Sequence, residues 1–275
     1  MTARLPPMFL VGATIVGATA LVGLLAPVLA PYGPRAVTGD ALERPSADHL
    51  LGTNDIGQDL LSGLIWGARS SLLVAVVAAG ITVLVATVVG AGAALVGGWV
   101  DRVMGRVLDI LLAFPGVPLI VLVTALAGTS RAVIVLVVGL VGWPALARVL
   151  RSEVLSLRQR GFVRAARGFG AGPGYVLRRH LVPALGPLLV AGFVEWAATA
   201  VFLEAGLAFL GLGDPTAVSW GNTLNRALAL PGLYFSGMWP WLVLPAGLAI
   251  TVVVLGLTFV GVGLEPVFNR RSARP

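Results

Sequence analysis

Two carboxylates, Glu195 and Glu204, fall in or at the edge of one long apolar stretch. An ionised side chain in hydrocarbon is costly and normally faces protein or water, so such a residue is a functional candidate by default. At roughly 100° per residue, a nine-residue separation leaves the two about half a turn out of phase, and one straight helix cannot point both into the same path. Glu195, nearer the middle, has two readings. It lines a translocation path and meets a substrate amino group, or it is protonated or paired with an arginine or hydroxyl of a neighbouring helix. Other chemistries are closed off. The chain has no cysteine, which removes disulfides, thiolate nucleophiles and iron–sulfur ligation. All 19 basic residues are arginine, so neither a P-loop lysine nor a Schiff-base lysine exists. His49 and His180 stand far apart in polar-flanked segments, a poor basis for a metal cluster or a histidine triad. Ser70 and Ser71 have no histidine in reach by sequence.

The elements that must carry these residues follow from composition. Of 275 residues, 57% are hydrophobic and 11% charged, against about 25% charged in soluble domains. The chain therefore reads as an all-α integral membrane protein. A hydrocarbon core of about 30 Å needs roughly 20 helical residues, and six segments meet that ruler: Met8 to Ala30, Val74 to Gly98, Val107 to Ala127, Ala132 to Val149, Val182 to Leu203 and Trp239 to Leu264. The first is too long for a signal-peptide core and reads as a retained helix. Phe114-Pro115 and Pro118 predict a kink in the third. Positive loops stay cytoplasmic. With both termini inside, 14 arginines lie on the cytoplasmic side and five, Arg35, Arg44, Arg69, Arg131 and Arg226, lie outside. The net charge of +7 is thus an orientation signal, and no aromatic-interleaved basic stripe accompanies it to suggest nucleic acid.

Three connections are long enough to carry function. Before the second span, Leu60, Leu61, Leu64, Ile65 and Ala68 recur at helical spacing with Asp59, Ser62 and Arg69 off the stripe, which predicts an amphipathic helix on the membrane surface. After the fifth span, Ala205 to Gly213 is apolar but glycine-broken, and Asp214, Pro215 and Ser219-Trp220-Gly221 predict an exposed, structured loop. Between the fourth and fifth spans, RQRGFVRAARGFGAGPGYVLRRHLVPA reads as helix, glycine-dense turn, helix. Its small pair Ala165-Ala166 leaves a flat surface on which another protein can pack. Asp109, one turn from Arg106, predicts an interfacial ion pair.

This last segment resembles the cytoplasmic loop of the binding-protein-dependent ABC import permeases, which carries an EAA pattern followed by a glycine and then a proline. Ala165, Ala166, Gly170 and Pro183 match at the family spacing, while Arg164 stands where the family has glutamate. Leu51 to Leu72 is similar to the pattern before the second span in C-type permeases of dipeptide, oligopeptide and nickel importers. It agrees at Gly52, Thr53, Gly57, Asp59, Leu61, Ser62, Gly67, Ala68, Arg69, Ser71 and Leu72, and departs at Asn54, Gln58 and Gly63. Glu204 to Gly221, EAGLAFLGLGDPTAVSWG, looks like the same branch's signature after the fifth span.

The resemblance implies a type I ABC importer (MetI-like) permease fold with six transmembrane helices. It divides the chain into an N-terminal helix with extracytoplasmic loop and interfacial helix (1–73), a five-helix permease core (74–264) with a coupling loop at about 150–181, and a cytoplasmic tail (265–275). In this reading Phe162, Arg164, Ala165, Ala166, Gly170, Tyr175 and Pro183 belong to the loop that docks on the ATPase, and Glu195 is the path candidate. Glu204, Asp214, Trp220, Asp59 and Arg69 brace the outer gate or receive a binding protein. The chain carries no cofactor and no catalytic centre; ATP and magnesium belong to partner subunits. The implied partners are a second permease, two ATPase subunits or domains, an extracytoplasmic solute-binding protein and membrane lipid, in the cytoplasmic membrane of a bacterium. Peptide is the expected cargo. Nickel or another small solute is the alternative within the class, and a self-sufficient secondary transporter or channel the alternative outside it.

Overall fold

A computed structural model describes residues 6–268; Arg4, Arg270, Arg271, Arg274 and the stretch 269–275 of the expected tail lie outside the described residues. The described residues form helices and loops, with only the isolated bridges Val37–Gln58 and Thr53–Asp59 in extended conformation. We label the helices α1 (Pro7–Leu24), α2 (Leu60–Val96), α3 (Gly98–Ala113), α4 (Gly116–Ala127), α5 (Arg131–Leu157), α6 (Gly161–Gly168), α7 (Pro173–Phe209), α8 (Trp220–Leu228) and α9 (Leu244–Phe268). Helices α1, α2, α5, α7 and the run Trp239–Leu264 are long and apolar enough to cross a membrane, and a sixth crossing is reached only if the bent pair α3 and α4 counts as one.

Two expectations about helix boundaries are corrected. The segment from Leu60 to Arg69 is not a separate interfacial helix. The Asp59 side chain accepts from Ser62 N at 2.7 Å and starts a helix that continues without a break for 37 residues to Val96. Its amphipathic stripe buries against protein, with Leu60 and Ala68 inside. Nor is the third span one helix with a kink. Phe114 is extended (φ −78°, ψ 136°), as expected of a residue before proline, and α3 meets α4 at 82°.

α3 is held by ion pairs to α5. Arg151 grips Asp101 through Nε at 2.6 Å and Nη2 at 2.9 Å, and Arg148 Nη2 reaches Asp109 at 2.6 Å. The expected Arg106–Asp109 pair is replaced by this interhelical one, which joins side chains from two helices that the bend brings side by side.

Where helices cross, small residues set the spacing. In lipid the association of helices rests on close packing and interhelical hydrogen bonds rather than on a difference in apolar solvation. A Cβ on Gly12 of α1 would lie 2.5 Å from Gly256 O of α9, and one on Gly139 of α5 would lie 3.0 Å from Ala78 O of α2. Beside it Thr82 Oγ1 donates to Gly139 O at 2.7 Å, fully buried. The 30–59 and 210–238 connections gather at one end of the bundle, the loop end, where the Arg35 guanidinium donates to Thr216 O. The 158–172 connection lies at the other, the arginine end, where Arg158 Nη1 donates to Ala94 O at 2.6 Å near the close of α2. Gly139→Val should destabilise the detergent-solubilised protein by ~1–3 kcal/mol through overpacking, and Thr82→Val by only ~0.6 kcal/mol; thermal unfolding of the two variants measures that order.

Candidate functional site

At the arginine end, α6 is a two-turn helix attached through one buried residue. Val163 is fully buried in a cluster with Leu157 of α5 and Val176, Leu181 and Leu185 of α7. Arg164 and Ala165 face outward and Ala166 is half-buried against the same cluster. The helix closes with Phe169 N donating to Ala165 O and Ala171 N to Ala166 O, both at 3.0 Å, with Gly170 at φ +85°. This is a Schellman motif, and Gly170 occupies its left-handed position. No atom crowds a Cβ there, so the demand for glycine is conformational rather than steric. Around the turn, Phe162 is 44%, Tyr175 58% and Phe169 93% exposed, with His180 between Phe162 (ring centroids 6.0 Å) and Tyr175 (5.8 Å). The expected second short helix is instead the start of α7. Its wide turn at Leu177–Leu181 ends two residues before Pro183, which lies inside α7 and cannot donate to the helix ladder there.

At the loop end, three predicted residues are joined into one clasp. Glu204 of α7 is 7% exposed and accepts from Ser71 Oγ of α2 at 3.3 Å. Asp214 accepts from Arg131 N of α5 at 3.1 Å and from Thr216 N and Oγ1 at 2.8 and 2.6 Å. Trp220 Nε1 donates to Leu64 O of α2 at 2.9 Å, and its ring lies over Gly67, where a Cβ would sit 2.7 Å from Cδ1. Arg131 Nη2 completes the clasp by donating to Ser70 Oγ at 3.0 Å. Burial by itself opposes ionisation of Asp214, but the Thr216 hydroxyl and amide, the Arg131 amide and the Arg131 charge outweigh it and hold this carboxyl below the usual range. Arg131, Ser70 and Ser219, which caps α8 by accepting from Asn222 N at 3.3 Å, were missed as site residues. Ser70-Ser71 on a buried helix face was the available signal.

Asp59 and Arg69 do not join that clasp. Asp59 is buried with His49, whose Nδ1 lies 3.1 Å from Asp59 Oδ1, and the Tyr32 ring packs on the imidazole at 5.2 Å. The hydrogen bond to Asp59 raises the His49 pKa; burial opposes this, and the Asp59 charge, Thr38 and Glu43 add to the rise. Arg69 is exposed, its guanidinium 5.9 Å from the Trp66 ring. Glu195 is exposed on α7, on the face opposite buried Glu204. Among the described residues nothing pairs with its carboxylate; only its carbonyl accepts, from Thr199 Oγ1 at 3.0 Å.

The described residues thus form a bundle of helices of membrane-spanning length with a small packing helix projecting at one end and a polar clasp at the other. The chain belongs to the family of binding-protein-dependent transport system inner membrane components, whose profile matches residues 86–274. It is 38% identical to a peptide permease protein of Brucella suis over 248 residues, 90% of this chain and 81% of that protein. It is 34% identical to the oligopeptide transport system permease protein OppC of Bacillus subtilis and 33% to the dipeptide transport system permease protein DppC of Alkalihalophilus pseudofirmus, each over 93% of this chain and 83% of the relative. It is thus a multi-pass inner-membrane component of a binding-protein-dependent importer.

Because the His49 pKa lies above its ordinary ~6.5, its pairing with Asp59 stabilises the loop fully below that value and is lost as pH rises through the raised folded pKa. Limited proteolysis of the 31–59 segment should therefore accelerate as pH is raised through the folded His49 pKa, and His49→Gln should be cleaved faster at low pH with that acceleration removed.

Proposed function

We propose that this chain is one half of the translocation pathway of an ATP-driven peptide importer, with its arginine end and both termini in the cytoplasm and its loop end outside. The observation that carries the reading is the exposed aromatic surface of Phe162, Phe169 and Tyr175 around the Gly170 turn. An apolar patch on a projecting helix marks a protein contact, and an ATPase subunit is the contact that an importer subunit without a nucleotide site needs. Arg164 at its edge calls for an acidic complement on that partner. Peptide as cargo is supported by the names of the relatives, which specify peptides, dipeptides and oligopeptides. A second permease completes the path, a solute-binding protein delivers cargo, and ATP with magnesium binds the ATPases; this chain hydrolyses nothing itself.

The mechanism follows from connectivity. Val163 packs between the ends of α5 and α7, so displacing α6 moves both helices. The same two helices bear Arg131 and Glu204 at the loop end, where Ser70 and Ser71 of α2 hold them. A push on α6 is thus conveyed to the outer clasp as rigid-body motion, one of the standard means of switching access. In this reading exposed Glu195, between the two ends, lines the path and meets the amino group of a passing peptide.

Affinity purification in mild detergent, with ATPase activity assayed on the product, should recover a second permease and ATP-hydrolysing subunits; a lone protein that still transports in liposomes would sink the importer reading. Gly170→Val forces a branched side chain into the left-handed region at ~1–2 kcal/mol and should uncouple ATP hydrolysis from uptake, whereas Gly170→Asn, which tolerates that conformation, should retain most coupling. Normal uptake by the valine variant counts against the docking assignment. Glu195→Gln should slow uptake without changing assembly, as read by transport and by subunit recovery.

A further inference from the structure

At the loop end a hollow of about 620 Å³ is bordered by three arginines: Arg35 from the 30–59 connection, Arg69 from α2 and Arg131 from the start of α5, with Trp66, Ser70 and Leu73 completing one wall. No carboxylate lines it, and among the described residues none lies within ion-pair distance of these three guanidinium groups. Each is held by a neutral partner instead: Arg35 by Thr216 O, Arg131 by Ser70 Oγ at 3.0 Å, and Arg69 by the Trp66 ring at 5.9 Å. Asp214 accepts from the Arg131 and Thr216 amides and Glu204 from Ser71 Oγ. Asp214 offsets part of the Arg131 charge from beyond ion-pair distance, while Arg35 and Arg69 border the hollow with no carboxylate paired to them.

What lies below it identifies the occupant. On α2 the positions after Arg69 at helical spacing are Leu73, Val76, Val77 and Leu84, exposed by 45%, 53%, 43% and 64%. From Leu73 to Leu84 the helix rises ~16 Å at 1.5 Å per residue, about half of the ~30 Å hydrocarbon thickness and so the depth of one leaflet. Trp66 sits about two turns above Leu73, at the level where tryptophan marks the membrane interface.

We propose that this hollow is a binding site for an anionic phospholipid, with the three arginines on its phosphate and an acyl chain along the Leu73–Leu84 stripe. A soluble acidic partner or free phosphate would use the arginines but has no use for an exposed apolar stripe of about leaflet depth that starts at the hollow's Leu73 wall. The assignment of this lipid to the outer leaflet rests on the orientation proposed above; the site itself does not.

Titration of phosphatidylglycerol into the purified complex, followed by native mass spectrometry, tests it. Replacing both Arg35 and Arg69 by glutamine should weaken binding about thirtyfold if each arginine contributes as surface arginines do at anionic lipid. Arg44→Gln, a loss of outer charge away from the hollow, should leave affinity unchanged, and phosphatidylcholine should not compete. Leu73→Ser with Val76→Ser should weaken phosphatidylglycerol while leaving the arginines intact, and glycerol phosphate should bind no better than background. Unfolding temperatures matching the unmodified complex certify the variants, and Arg69→Lys, which keeps the charge, should restore most of the affinity. Equal weakening by Arg44→Gln, or binding of glycerol phosphate as tight as that of the lipid, overturns the proposal. So does loss of solute-binding-protein capture in the Arg35/Arg69 variant with lipid affinity unchanged, which would give the hollow to a protein partner. Absence of ATPase subunits would sink the importer reading and leave this lipid titration standing.

Discussion

Helix α2 has to be approached closely by α1, α5 and α7, and almost every other feature of the chain depends on that closeness. Hydrocarbon offers no apolar driving force between helices, so contact must come from backbones that nearly touch. The buried face of α2 is accordingly rich in small residues, Ala68, Ser70, Ser71, Ala75, Ala78, Ala79, Ala86, Ala91 and Ala94 among them, with larger side chains at Leu60, Val74 and Leu95. The small residues have little side-chain entropy to lose and leave room for the Gly139 backbone and the Thr82 hydrogen bond. A face of leucines would have held the neighbours too far apart for Ser70 and Ser71 to reach Arg131 and Glu204.

The two ends of the bundle use different physics on the same pair of helices. At the arginine end, α5 and α7 share an apolar cluster that fixes the small helix α6 with one buried valine and leaves its aromatics outside. At the loop end they are joined to α2 through hydroxyls and charges. Apolar packing resists separation over a short range, whereas directional hydrogen bonds can break and re-form as units. A bundle built this way has a stiff handle and a releasable latch.

Much of this was legible in the sequence because the signals were long. Of six apolar runs, five coincide with helices long enough to cross, the glycine at 170 marks the turn, and the half-turn phase between Glu195 and Glu204 matches their exposed and buried positions. What stayed hidden depended on partners distant in sequence. The stripe at Leu60 to Ala68 has the same periodicity whether it meets lipid or protein, and only the packing of Trp220 on Gly67 decides. Arg106 is the nearer basic residue to Asp109 along the chain, but the 82° bend presents Arg148 instead. His49 gave no sign of Asp59, because ten residues of irregular loop carry no period from which to infer contact.

The bend after α3 has a consequence for the membrane itself. Helix α4 has 12 residues, a length of ~18 Å against a hydrocarbon thickness of about 30 Å. A helix of that length cannot cross alone unless the bilayer thins or headgroups and water follow the chain inward, at fractions of a kcal/mol for each ångström of mismatch. Since Asp101 and Asp109 lock α3 to α5, that elastic strain acts on a helix that also carries the outer clasp. Acyl-chain length is thereby written into the mechanical load on the subunit, alongside any force its partners apply.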